Sequence, residues 1–446
     1  MSARPDPEAA PPALGAPGPP PEAAGRAQAG LEAPPGAAAP VPQDDAPLRW
    51  AMLALLSGGL LFSLSAWLSA TAIGAELQAR WGLTDSQVGL LTTTVQLGFV
   101  AGTALAAVLN LADVIPARVY VATSALLAAA ANALLLVVPE FGGALVARFL
   151  TGAFIAGVYP PAMKMVATWF RSARGFAIGS LVGALTVGKA MPYLLKAIGG
   201  ASLEAVVGGA SIGGALAGVA VLAAYRDGPY AFPARPFEWS RVGRIVRHRE
   251  TMLATGGYLG HMWELYAMWA WLPTFLAVSA GDAASPAVID LVAFGAIAAG
   301  GLGCVWGGIT ADRYGRHGVV TLALIMSGTC CLLAGPLLGA PFPVVVALAW
   351  VWGFFVVADS AQFSSLVTEV APADSVGTAL MVQTCMGFLL TMVTIQAMPL
   401  LVEAIEWRWA FAALSLGPAA GVWSIRRLKA VQGLASGTRP ERAHAR

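Results

Sequence analysis

Charge is what this chain has least of. Asp, Glu, Lys and Arg make up 11% of its 446 residues, where a soluble globular protein carries about 25%. That deficit, with a mean hydropathy of +0.71, excludes an ordinary soluble domain and points to a polytopic membrane protein. Cysteine is scarce as well. Cys304, Cys330, Cys331 and Cys385 all fall in apolar stretches and read as small buried hydrophobes rather than disulfides. The adjacent Cys330 and Cys331 have no metal-ligand spacing to anything nearby. The histidines, His248, His261, His317 and His444, do not cluster. No complete phosphate loop of the form Gly-x-x-x-x-Gly-Lys-Ser/Thr occurs. These absences argue against an enzyme, a metal site, a cofactor and an ATP-driven pump. A net charge of +2 gives nucleic-acid binding no support.

What the chain does have is long apolar runs. Residues 1–47 are rich in Ala, Pro and Gly and read as a disordered tail, with neither a signal peptide nor a span. From there the pattern changes. A run of ~20 apolar residues crosses a hydrocarbon core, and uncharged runs occupy 51–73, 86–112, 119–138, 205–225, 291–311, 375–402 and 409–425. Runs with few charges cover 143–168, 174–197 and 252–278. The stretch 318–358 is too long for one helix, and Gly335, Pro336, Pro341 and Pro343 divide it. Twelve crossings are expected: an all-α membrane protein with a six-helix bundle over 48–225, a basic linker over 226–251, a second bundle over 252–428 and a tail over 429–446.

Orientation follows from Lys and Arg in the connections. With the N-terminus inside, the inner connections hold Arg118, Arg171, Arg174, Arg226, Arg235, Arg241, Arg244, Arg247, Arg249, Arg313 and Arg316. The outer ones hold Arg80, Lys196 and Arg408. Both termini are therefore expected in the cytoplasm. Arg241, Arg244 and Arg247 recur at helical spacing, which suggests a basic helix lying on the inner leaflet.

One polar connection stands out, Gly308-Ile309-Thr310-Ala311-Asp312-Arg313-Tyr314-Gly315-Arg316-His317. Gly308 suits close helix approach and Gly315 suits a turn with φ > 0. A shift of about 200 residues lays Gly102 on Gly301 and Asp113 on Asp312. The run Asp113-Val114-Ile115-Pro116-Ala117-Arg118 is then a worn copy of that loop, and Thr168 to Gly175 parallels Thr368 to Gly377. Such internal repeats are the mark of transporters built from two halves.

Here the chain resembles the major facilitator superfamily, over roughly residues 50–430. The family's loop signature is Gly-x-x-x-Asp-Arg/Lys-x-Gly-Arg/Lys-Arg/Lys. Gly308, Asp312, Arg313, Gly315 and Arg316 match it, and His317 replaces the last basic residue. The first copy keeps Asp113 and Arg118 but departs at Leu109 and Pro116. Arg148 followed by Gly152 resembles the span-four pattern. No Gly-Pro pair of the drug-antiporter type follows Gly183 and Gly188, and spans two and eight lack the Arg of nitrate porters. The run Ala156 to Pro161, with Ala167 to Phe170, is similar to organic-anion and cyanate-type porters. The resemblance implies two pseudo-symmetric bundles, alternating access, a cavity lined by spans one, four, seven and ten, and a gating role for the signature loop with Asp113, Arg118 and Arg174.

Ionisable residues within spans are costly and mark function. They are Arg148, Lys164, Lys189, His261, Glu264 and Asp359. Glu264 is the first candidate for proton coupling, because burial disfavours the charged form of a carboxyl; a structural ion pair is the alternative. His261 shares its helix face. Lys189 is a candidate to bind an anion or to pair with Glu264, against the alternative of snorkelling to the interface as Lys196 does. Asp359 is expected either to line the cytoplasmic vestibule with Gln362 or to pair with Lys164 as an inner gate, and Lys164 and Arg148 are also candidate substrate contacts. Arg148 either holds a neighbouring backbone or relays charge. Tyr159, Trp67, Gln96, Tyr266 and Gln383 are candidate linings of a substrate site, and Asn132, Tyr193, Trp263 and Trp269 further ones.

The expectation is a monomeric secondary transporter in the plasma membrane, such as a bacterial inner membrane. Its partners would be a small organic anion or polar solute, protons and the lipid bilayer. Efflux of small hydrophobic compounds, and a transport-dead sensor or scaffold, stand as alternatives. Symport and antiport are not separable at this level.

Overall fold

The computed structural model describes residues 48–171, 173–199, 202–230 and 237–435. The expected disordered tail over 1–47 and the residues from 436 onward lie outside the described residues, as does the side chain of Asp113. Those described are helical, with no strand. In hydrocarbon every backbone N–H and C=O must be paired within the protein, and a helix does this within one segment. The spans are α1 (Arg49–Leu64), α2 (Asp85–Val108), α3 (Ala117–Ala133), α4 (Phe141–Ile155), α5 (Arg174–Gly199) and α6 (Gly209–Ala224). The second half supplies α7 (Arg249–Ala280), α8 (Pro286–Tyr314), α9 (Arg316–Ala334), α10 (Phe342–Ala358), α11 (Val376–Ala410) and α12 (Leu416–Ala435).

Nine helical segments among the described residues are long and apolar enough to cross a membrane, one of them merging the last two spans. Glu406, at φ 59, kinks that merged segment. With it divided there, and with α1 and the more polar α7 added, the arrangement accommodates the expected twelve crossings.

Local chemistry sets the helix ends. Thr84 and Gln87 form a reciprocal capping box that starts α2. Ser285 caps α8, followed by Pro286. Gly315, at φ 84, turns the chain between α8 and α9. Three spans are interrupted. The first breaks after α1 and resumes at Ser69–Ala72, the fourth resumes after α4 at Tyr159–Ala167, and the tenth resumes after Asp359 at Ser360–Val370.

Two boundaries differ from the reading of the sequence. The linker over 226–251 holds the helix its arginine spacing suggested, Trp239–Arg247, but ends where α7 begins at Arg249. The tail over 429–446 is still helix as far as Ala435, because no Pro or Gly stops α12 at residue 428. The linker helix is tied down by Arg244 Nη1 to Asp374 Oδ2 at 3.1 Å, and the Glu238 N–H just before it donates to Thr378 Oγ1 at 3.1 Å.

The halves meet along α5 against α8 and α2 against α11. The α5–α8 seam is made of small residues. A Cβ on Gly183 would run into the Gly301 backbone, and one on Gly308 into that of Gly175. Backbones that close need glycine.

Candidate functional site

Lys189 sits at the centre. It stands on α5, 3% exposed. Gly188 beside it lets α1 approach, since a Cβ there would collide with the Leu61 carbonyl. The break after α1 then delivers Trp67 onto the lysine. Nζ lies 4.1 Å from the Trp67 ring centroid, 4.7 Å from Tyr266 and 5.3 Å from Trp269, and it donates a hydrogen bond to the Tyr266 hydroxyl. Phe99 and Phe388 complete the cluster, 4.5 Å apart, with Phe388 5.6 Å from Trp67. No carboxylate among the described residues lies within ion-pair distance of Lys189. Ring faces are what its ammonium form meets, each worth ~2 kcal/mol when desolvated.

One helical turn further along the same helices is a vestibule of about 420 Å³. Its lining includes Thr71, Thr92, Tyr193, Ala270 and Trp271. These stand four residues from Trp67, Gln96, Lys189, Tyr266 and, for Trp271, five from Tyr266, so the vestibule floor overlies the lysine layer. Lys196 and Asp290 also line it, joined at 2.9 Å across the α5–α8 seam. Lys196 therefore does not snorkel outward: Asp290, on the facing helix, offers it a partner. The vestibule opens at the end opposite the signature loop.

His261 and Asp359 form a second polar cluster. His261 Nδ1 is 2.9 Å from Asp359 Oδ1, with both side chains 2% exposed, and Nε2 is 2.9 Å from the Ser360 hydroxyl. Tyr258 stacks on the imidazole and Phe363 tilts against it. Asp359 and Ser360 occupy the break in span ten, so this pair connects α7 to a joint rather than to a rigid rod.

Glu264 is buried elsewhere. Its Oε2 accepts from Ser327 at 2.9 Å and its Oε1 from Cys331 at 3.2 Å and from Trp352 Nε1. All three donors belong to α9 and α10, so Glu264 faces the interior of the second half. Tyr266, two residues on, is about 200° around the helix. That angle is why the structure does not bring Glu264 to Lys189.

Arg148 is 0% exposed and holds backbone. Its Nη1 donates to the Ala66 carbonyl and to Asn132 Oδ1, both at 2.9 Å, and its Nη2 to the Trp67 carbonyl. The broken helix end leaves these carbonyls without intrahelical partners, and the guanidinium supplies them. Arg148 thus positions Trp67 instead of facing the cavity.

The remaining residues lie further away. Lys164 donates to the Ala112 carbonyl at 3.2 Å, near the loop after α2, rather than to Asp359. Tyr159 is half-buried where span four resumes, and Gln383 is buried against the Phe363 carbonyl. Trp263 donates to the Ala413 carbonyl at 3.4 Å, in the turn just before α12. In the signature loop, a Cβ on Gly175 would strike the Asp312 carboxylate, and Arg316 bonds Glu369 at 2.6 Å and Gln362 at 2.8 Å. Arg313 and Arg118 are exposed, and Arg174 is exposed at the start of α5. Gly183, Gly188 and Lys189 have the spacing of a phosphate loop, but they lie inside a continuous helix with Ala190 next, so no loop exists to cradle a phosphate. Among the described residues no group of three metal-ligating side chains occurs.

Sequence reasoning missed Phe99, Phe388 and Asp290. The two phenylalanines are indistinguishable from packing residues in a run, and Asp290 stood just outside an uncharged stretch, where a charge reads as interfacial.

The family profile described as Major Facilitator Superfamily matches residues 55–301. Among solved structures the chain is similar to a crystal structure of the nucleoside transporter NupG, a point mutant. The TM-score is 0.64 at 14% identity, covering 85% of this chain and 99% of that one. No curated protein matches the chain.

Proposed function

The chain belongs to the Major Facilitator Superfamily, and from that premise we propose that it is a secondary transporter of a small organic anion, bound at Lys189. The observation that carries this reading is a buried lysine between two halves, beneath a vestibule, with ring faces and a phenol hydroxyl but no carboxylate for a partner. An anion arriving through the vestibule would draw Nζ off the rings and neutralise it. The vestibule faces the outside, and the Asp312–Gly175 contact is the closed cytoplasmic gate.

Proton coupling runs through the second half. The buried His261–Asp359 contact is its proposed seat, because it ties α7 to the joint in span ten. The other titratable groups around them are Tyr258 on the stacked face, Glu264 one turn along α7 and Cys304 on α8, which donates to the Val357 carbonyl. Glu264 accepts from three donors on α9 and α10, so it fastens α7 to both. The family alone also fits export of small hydrophobic compounds, but the buried lysine weighs against it.

The test is uptake into proteoliposomes under an imposed ΔpH. Lys189→Gln should abolish binding of anions. His261→Gln should retain exchange of substrate across the membrane and lose accumulation driven by ΔpH. Unaltered anion affinity in Lys189→Gln removes that residue from the site, and ΔpH-driven accumulation in His261→Gln removes the coupling role.

A further inference from the structure

The groups around Lys189 have bonds left to make. Four buried side-chain N and O atoms without a hydrogen-bond partner belong here: Trp67 Nε1, Trp269 Nε1 and both amide atoms of Gln96. Trp67 and Trp269 are 1% exposed and Gln96 is 0% exposed. A polar group buried without a partner costs about 1–3 kcal/mol, and native proteins keep few of them. Both indoles rest against the lysine ammonium. Gln96 is one turn from Phe99, whose ring is 5.1 Å from Trp67, and one turn from Thr92 in the vestibule. Its helix face thus leads from vestibule to lysine. By contrast, Arg148, Asn132 and Glu264 are each supplied with partners. The unpaired set offers two indole donors and one amide donor against a single amide acceptor.

The charges narrow the ligand further. Arg148 is spent on backbone carbonyls and Asn132, and Lys196 is neutralised by Asp290. Lys164 lies on the Ala112 carbonyl, away from this layer. One positive charge therefore faces the site, and the rest of the wall is aromatic: Trp67, Phe99, Tyr266, Trp269 and Phe388.

We infer that the site selects a monoanion with a flat apolar body, an aromatic monocarboxylate, over dicarboxylates and over amines. The inference rests on the anion-binding reading above. One carboxylate accepts from Lys189 Nζ and from the Trp67 and Trp269 indole N–H groups, while the ring of the ligand stacks among the aromatic side chains. A second carboxylate would lie against rings with no cation to meet it. An amine would meet Lys189 as a like charge.

The test is the melting temperature of the full chain in lipid nanodiscs, titrated with benzoate, acetate, succinate and benzylamine. Benzoate should stabilise with a half-saturating concentration at least about tenfold below those of acetate and succinate, tenfold being the size of effect expected for one charge-assisted hydrogen bond or one stacked ring. Benzylamine should have no effect. Trp269→Phe keeps a ring but removes the N–H donor, and should weaken benzoate about tenfold while still responding to saturating ligand. Equal responses to benzoate, acetate and succinate, or a preference for succinate, overturn the selectivity and leave anion binding standing. A response to benzylamine with none to any anion overturns both readings. Unchanged benzoate affinity in Trp269→Phe overturns the donor role.

Discussion

Arg148 and Lys189 show how differently two buried cations can be used. Arg148 presents a planar fork of donors to the carbonyls of a broken helix and to Asn132, a geometry a lysine ammonium cannot reproduce. Lys189 has a single donor position taken by Tyr266 and otherwise faces π systems. Replacing Arg148 by Gln should leave the Trp67 carbonyl unpaired and the Ala66 carbonyl with only the Ser69 hydroxyl, a loss of about 1–3 kcal/mol for the unpaired group. A markedly lower melting temperature is expected, and Arg148→Lys should fail to restore it; full rescue by Lys would mean that charge rather than the fork matters. Glu264→Gln makes a complementary prediction. The amide cannot accept as strongly from Ser327, Cys331 and Trp352, so stability should fall by about 1–3 kcal/mol, whereas ΔpH-driven accumulation should survive. Loss of accumulation with unchanged stability would return the coupling role to Glu264. The sequence marked all these residues as charged and buried. It did not separate their roles, because the partners of Glu264 lie 63 to 88 residues away and those of Arg148 up to 82.

Elements act here through their breaks and seams. The discontinuity after α1 is what lets Trp67 turn its ring to the lysine and its carbonyl to Arg148. The joint at Asp359 places a titratable pair where a span can bend. The α5–α8 seam depends on glycine, and Gly183→Leu would drive a side chain into the Gly301 backbone. That substitution should reduce transport severely even in protein that reaches the membrane; normal uptake rates would show that the seam opens wide during turnover. At the end of the same seam Asp312 lies over Gly175 and the start of α5, where a carboxylate gains roughly 0.3–1 kcal/mol from the helix N-terminus. Asp312→Asn should slow substrate exchange several-fold without changing affinity. A changed affinity with normal exchange would place Asp312 outside the gate. The existence of both glycine-rich helices was legible, as was the turn at Gly315. That they form one seam was not, since nothing in a glycine says which helix approaches it.

For the molecule as a whole, the arrangement is that of two halves with a pocket entered from one end. Alternating access predicts that vestibule residues report on the state of the site. Thr274 lines the vestibule, while Cys304, Cys330 and Cys331 are buried and the half-buried Cys385 is replaced by Ser in the labelling background. Thr274→Cys should react with a membrane-impermeant maleimide added from outside, and benzoate should slow that reaction. Labelling only from the cytoplasmic side would reverse the proposed orientation. The sequence by itself determined the class. Scarce charge, runs of spanning length and a repeated loop fix a helical, two-part membrane protein, because lipid leaves the backbone no other way to pair its polar groups. The signature loop pointed to the family. Only tertiary structure decided which buried charges face the pathway. Helix periodicity states that Glu264 and Tyr266 point apart, but not which of them points inward. That choice depends on packing between helices distant in sequence, and it moved the centre of the proposed site from Glu264 to Lys189 and the unpaired donors around it.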